Sequence, residues 1–286
     1  MQTIFSCEPE ELSLLHALFY IKSGTSLDVL ISIKNGAQQH RIHGGMQTLA
    51  EAIAKPFFDR IQFDSPVLSI IQEKEKITLS TSKGAQVFSH IIFAVPPPLL
   101  KKIGINPPLS DQKQKLLEGY EMGYIGKCQM VFAKPFWRHK NLSGQAVSDS
   151  EFYLQTIFDS SPADSKYGVL MGFVIGNKAR KFFQMDEDSR KQVVKKQLIQ
   201  YFGEEANQEI NYVDHTMNEE TWSEGCYAGI REVNSWTKYQ NSYSQSEGRL
   251  HFAGTEAATR WHGYIEGAVR AGETAAEKIL QELNND

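Results

Sequence analysis

The sequence predicts a mixed α/β (α+β) fold. Three observations carry the prediction. Strand-like apolar stretches and helix-period stretches intermix along the chain, and glycines repeatedly stand where a strand or loop feeds a helix. The closing stretch compresses all three features. Leu250-His251-Phe252-Ala253 has the character of a short buried strand running into Gly254-Thr255-Glu256, and Gly263 and Gly267 bracket Tyr264-Ile265-Glu266. An alanine-rich helical run over 265–283 follows. A turn from a strand into a helix N-terminus is a ready anion site, because unpaired N–H groups and the helix dipole point at it. Spacing alone favours an ordinary strand–loop–helix corner.

From the N-terminus, residues 8–23 are expected to be helical, with Pro9 in the first turn and Leu12, Leu15, Leu18 and Phe19 at helical spacing. Residues 27–33 are apolar, Asn35-Gly36 marks a turn, and a second helix is expected over 46–58. Strands are expected at 61–63, 67–72, 77–81 and 87–95, with Lys83-Gly84 as a hairpin turn. The near-continuous apolar end of 87–95 suggests burial on both faces. Ser110 caps a short helix to Glu118. Further strands follow at 124–133, 152–158, 169–175 and 210–215, with helices at 177–183 and 186–202. Residues 219–249 are the least regular.

The chain has 286 residues, 41% hydrophobic and 22% charged, and a net charge of −4. No basic field argues for nucleic acid, and no apolar run approaches the roughly 18–20 residues of a membrane helix. The N-terminus lacks a secretory pattern. Three scattered cysteines, Cys7, Cys128 and Cys226, are too few for a disulfide framework or a zinc site, and no metal ligands are assigned. A cytoplasmic setting is expected.

Phe252-Ala253-Gly254-Thr255-Glu256, Trp261 and Gly263-Tyr264-Ile265-Glu266-Gly267-Ala268 together resemble the C-terminal flavin-binding signature of the flavin-containing monoamine oxidase family. Glu11-Leu12-Ser13 to Lys22, Asn35-Gly36-Ala37-Gln38, Gly44-Gly45, Asn106-Pro107-Pro108-Leu109, Gly126-Lys127, Lys134 to Arg138, Gly172-Phe173 and Lys178-Ala179-Arg180 resemble successive family landmarks, in order. The resemblance implies two interleaved domains, with 1–42 and 117–219 binding substrate and 43–116 and 220–286 binding FAD. It also implies oxidation of an amine to an imine, with O2 reduced to H2O2.

Individual roles come from the same resemblance. Lys127, a strand lysine among apolar neighbours, resembles the lysine that holds a water at the flavin, and burial would suit that role. Tyr227 and Tyr264 resemble the two tyrosines flanking the amine. Val67, Trp222, Gly254, Thr255, Gly263 and Ile265 stand at cofactor-binding positions, Ile31 and Gln38 at substrate-cavity positions. Cys226 stands where some members attach the flavin through sulfur, but Glu224 replaces their glycine, so a covalent link and an inert thiol both stay open. His43, His251 and His262 are expected to be structural. No acid-recognising arginine is identifiable, which favours simple amines; a polyamine or amino-acid oxidase is the nearest alternative.

The family's N-terminal G-x-G-x-x-G unit has no match in this chain, which resembles roughly the C-terminal three-fifths of the family. A truncated or split oxidase is therefore expected, completed by an N-terminal companion chain or by homo-oligomerisation. The other reading is a non-catalytic remnant that at most binds a partner.

Overall fold

The computed structural model describes residues 2–148, 151–240 and 242–285. Helix α1 (Gln2–Phe5) precedes a 3₁₀ turn at Pro9–Glu11. The helix expected over 8–23 divides here. Glu8 and Glu11 close a reciprocal capping box, Leu12 is extended, and the Ser13 hydroxyl caps α2 (Leu14–Ser23). Ser26 caps α3 (Leu27–Ile31). Helix α4 (Met46–Ala54) stops short of the expected end. Pro56 has no N–H to continue the ladder, and the chain tightens into a 3₁₀ turn at Lys55–Arg60.

No strand forms at 61–63, because Asp64 takes a φ of 50° and Pro66 follows, turning the chain. Strands β1 (Val67–Gln72), β2 (Ile77–Thr81) and β3 (Gly84–Phe88) come next, with the expected hairpin pairing Thr81 to Gly84. The strand expected over 87–95 breaks at Ser89-His90 before β4 (Ile91–Phe93), and it is not buried on both faces. All of β3 is exposed, as the edge of its sheet, and Ile92 of β4 is 37% exposed. Helix α5 (Pro97–Leu100), β5 (Gly104–Asn106) and α6 (Asp111–Glu118) follow, the last capped by Ser110 as expected.

Strands β6 (Tyr120–Met122), β7 (Ile125–Phe132), β8 (Ala146–Val147), β9 (Thr156–Asp159) and β10 (Gly168–Ile175) succeed one another. Strand β9 begins later than expected because the Gln197 side chain, not a ladder partner, satisfies both Leu154 N and Leu154 O. Then come α7 (Gly176–Phe182), α8 (Glu187–Phe202), β11 (Glu209–Thr216), β12 (Gly229–Arg231), α9 (Ser235–Tyr239), β13 (Leu250–Phe252) and α10 (Ile265–Asn285).

The chain forms two compact units. The first comprises Met1–Leu12 and Glu121–Glu232, the second Ser13–Tyr120 and Val233–Asp286. The first unit is built on an antiparallel sheet in the order β11-β7-β10-β9-β8. Val194, Leu198 and Phe202 of α8 pack on Cys128, Met130 and Leu170 from one face of this sheet. The second unit holds a mixed sheet, β3-β2-β1-β5, and a parallel pair, β13-β4. Gly267, Ala271 and Ala275, four residues apart, form the buried stripe of α10 and let it approach β13 closely.

Lys113 of α6 is 2% exposed in the second unit, yet its ammonium is satisfied. It donates to the carbonyls of Ser242, Tyr243 and Gln245 at 2.7, 2.8 and 2.8 Å and lies 3.9 Å from the Phe252 ring centroid. A Lys113→Met chain keeps the volume and removes all three donors. Its urea unfolding free energy is expected to fall by about 3 kcal/mol, with an unchanged midpoint counting against this role.

Candidate active site

The second unit contributes the corner between β13 and α10. Its centre is the Thr255 hydroxyl, which accepts from Gly263 N at 2.6 Å and donates to Tyr264 O at 3.0 Å. This closes the loop onto the helix start. Trp261 N and His262 N are held by Ser23 O and Ser23 Oγ, at 3.1 and 3.2 Å. Gly267 is required by close approach, since a Cβ there would stand 2.2 Å from Trp261 O. Gly254 has a φ of +85°, and only Glu256 Oε2, at 3.5 Å, comes near where its Cβ would be. Backbone is therefore accessible beside the strand end, next to the first-turn N–H groups of α10.

Tyr264 is half-buried, its ring 6.0 Å from Tyr20 and 5.5 Å from Trp261. Burial pushes its phenol above the usual range, opposed by a hydrogen bond with Tyr20. Ile265 is exposed, and Val67 is half-buried at the head of β1. Ile31 is exposed at the end of α3, and Gln38 donates to Leu30 O at 3.3 Å. His43 is exposed, while His251 and His262 are buried.

The first unit gathers a second set. Lys127 is exposed, a correction to the expected burial. Strand alternation buries Gly126 and Cys128 and turns Lys127 to the opposite face. There its ammonium lies 5.5 Å from the centroid of Phe173, its cross-strand neighbour on β10. The Tyr227 ring meets Phe173 edge-on at 6.3 Å. Cys226 is half-buried beside them, and burial pushes its thiol up to about 11, with Lys127 pulling the other way. Trp222, by contrast, is 70% exposed.

Asn218 positions this loop, a role not visible in the sequence. Its amide donates to Gly123 O at 3.1 Å and Glu224 O at 3.0 Å, while its oxygen accepts from Ile125 N at 3.2 Å. One side chain thereby ties the loop carrying Cys226 and Tyr227 to the start of the strand carrying Lys127. Phe173 was visible in the sequence only as part of the Gly172-Phe173 landmark in an apolar strand run, which does not say that its ring partners a lysine.

Residues 2–280 match the family of flavin containing amine oxidoreductases. The chain belongs to this family. It is 35% identical over 275 residues to a Mycobacterium tuberculosis protein named as a flavin-containing monoamine oxidase, AofH, covering 96% of this chain and 60% of that protein. Amine oxidase [flavin-containing] A of Bos taurus is 33% identical over 96% of this chain and 53% of its own length. The fold is similar to that of cyclohexylamine oxidase from Brevibacterium oxydans IH-35A, with a TM-score of 0.93 and 25% identity, covering 99% of this chain and 63% of that one. A putrescine oxidase structure matches with a TM-score of 0.91 and 26% identity, over 97% and 62%. The chain thus spans less than two thirds of each of these relatives.

The Lys127–Cys226 proximity has a direct chemical readout. Thiolate is the reacting form, so alkylation of Cys226 by iodoacetamide should accelerate with pH towards a midpoint near about 11. Removing the neighbouring cation in Lys127→Met destabilises the thiolate and moves that midpoint upward. A downward move would contradict the geometry.

Proposed function

We propose that this chain carries flavin-facing and amine-facing residues of an FAD-dependent amine oxidase, which turns an amine into an imine, then an aldehyde, and reduces O2 to H2O2. The observation that carries this reading is the Gly254–Gly267 corner, in a chain of that family. It fits the cofactor because backbone is open beside Gly254 and the unpaired N–H groups of the α10 first turn adjoin it. Gly254, Thr255, Gly263, Tyr264 and Ile265 would hold FAD, with Val67 from the same unit. Bound there, FAD would supply the two-electron acceptor for the carbon beside the amine nitrogen and the route by which those electrons reach O2.

The chain's own residues orient and exclude. Lys127 offers ammonium donors that would hold a water, steadied over the Phe173 ring. Tyr227 in the first unit and Tyr264 in the second each offer an aromatic face of the kind that would exclude water from an amine. Burial keeps the Tyr264 phenol protonated, so that face stays neutral. Small alkyl amines are the proposed substrates, supported by the similarity to oxidases named for putrescine and cyclohexylamine. Cys226, whose burial holds the thiol protonated, would remain an inert thiol rather than bond to the cofactor.

One observation favours a requirement for a partner. Ile53, Phe57, Phe58 and Phe63 of the second unit are 56, 55, 52 and 57% exposed. Such apolar surface is ordinarily covered, here by a companion chain bearing a dinucleotide-binding unit or by a second copy.

The test is a flavin absorption scan, at about 450 nm, of purified chain with added FAD, followed by peroxide release from a panel of amines. A yellow protein that releases peroxide supports the reading, and Lys127→Met should keep the colour while losing about 100-fold in turnover. If the chain alone is colourless, adding a chain with the dinucleotide-binding unit should restore both signals. Failure of both arrangements would overturn the proposal.

A further inference from the structure

Three side chains of the second unit converge away from the corner described above. His90 precedes β4, His251 lies in the middle of β13, and Glu282 sits in the last turn of α10. Glu282 Oε2 is 3.2 Å from His90 Nε2 and 3.5 Å from His251 Nε2, and the three ligand atoms lie within 4.8 Å of one another. Ligand atoms bound tetrahedrally to zinc stand roughly 3.3 Å apart, so little movement is needed to bring them onto one ion.

Burial and hydrogen bonding point the same way. His251 is 1% exposed, and its Nε2 is buried without a hydrogen-bond partner. Its Nδ1 lies 3.0 Å from Ser246 Oγ. With Ser246 accepting from Nδ1–H, the Nε2 lone pair is left pointing at the cluster, the arrangement in which a second-shell group orients a histidine ligand. His90 Nδ1 has no such support. Arg249 Nη1 lies 3.4 Å from His90 Nε2 and would have to withdraw. The carbonyls of Ser89 and Lys74, at 3.4 and 3.0 Å, already hold the guanidinium.

A cavity of about 250 Å³ reaches His251, with Ser246, Thr274 and Lys278 also in its lining. It brings space for water up to this one member of the cluster.

We propose that His90, His251 and Glu282 bind a divalent transition-metal ion of the zinc class. The ion would fasten the last turn of α10 to the β13-β4 pair. This site is independent of the oxidase reading, since none of its residues belongs to the corner or to the Lys127 cluster.

The test is a titration of the full chain, without a histidine tag, with Zn(II) and Co(II). The expected result is one equivalent bound, visible Co(II) bands of a low-coordinate nitrogen/oxygen site, and a raised melting temperature with Zn(II). Glu282→Gln and His90→Gln should each weaken binding by about 100-fold, with metal-free melting close to that of the parent. If His90→Gln does not fold, Glu282→Gln, at a half-exposed position, decides alone. No saturable binding, or binding undiminished in Glu282→Gln, overturns the proposal. No flavin is needed, so failure here is distinguishable from failure of the oxidase.

Discussion

The structure around the candidate flavin site depends on the closure of one loop by one hydroxyl. Thr255 sits just past β13 and is bonded to both Gly263 and Tyr264. That pair of bonds fixes where α10 begins and how its first turn meets the strand end. Gly267 lets the helix come in close, and Ala271 and Ala275 continue the same small-residue stripe onto the core. Without the closure the N–H groups of the first turn would still exist. They would no longer be held beside the open backbone of Gly254, and the proposed cofactor site would be only a bend.

The first unit solves a different problem, placing a cation beside aromatic rings on a rigid surface. Strand alternation is sufficient to do it. The face of β7 that packs under α8 carries Cys128 and Met130, so the opposite face must carry Lys127. The antiparallel register then puts Phe173 alongside it, and Asn218 holds the loop of Cys226 and Tyr227 against the same strand end. The cluster therefore rests on three supports of different kinds: pleat, ladder register and one amide side chain.

Much of this was legible in the residues. The strand–turn–helix wording from Phe252 to Ala268 identified the family, and the strands and helices of the first unit appear close to where periodicity puts them. The misses have physical causes. Ser13 and Pro56 end or begin helices by capping and by a missing donor, which local apolar spacing does not register. Ile91 to Val95 looks doubly buried because composition reports hydrophobicity, not how many neighbours a strand finds. The expected burial of Lys127 failed for a similar reason, since apolar neighbours along a strand lie on both faces. Asn218 and the His90–His251–Glu282 cluster were invisible because they act between residues far apart in the chain.

The central claim is that the corner built on Thr255 holds the flavin. Hydrogen exchange of peptides spanning residues 254–268, with and without FAD, tests it most directly. The account expects FAD to slow exchange of the amides in the first turn of α10, and Thr255→Val to abolish that protection. FAD binding with no change in exchange across this segment would contradict it.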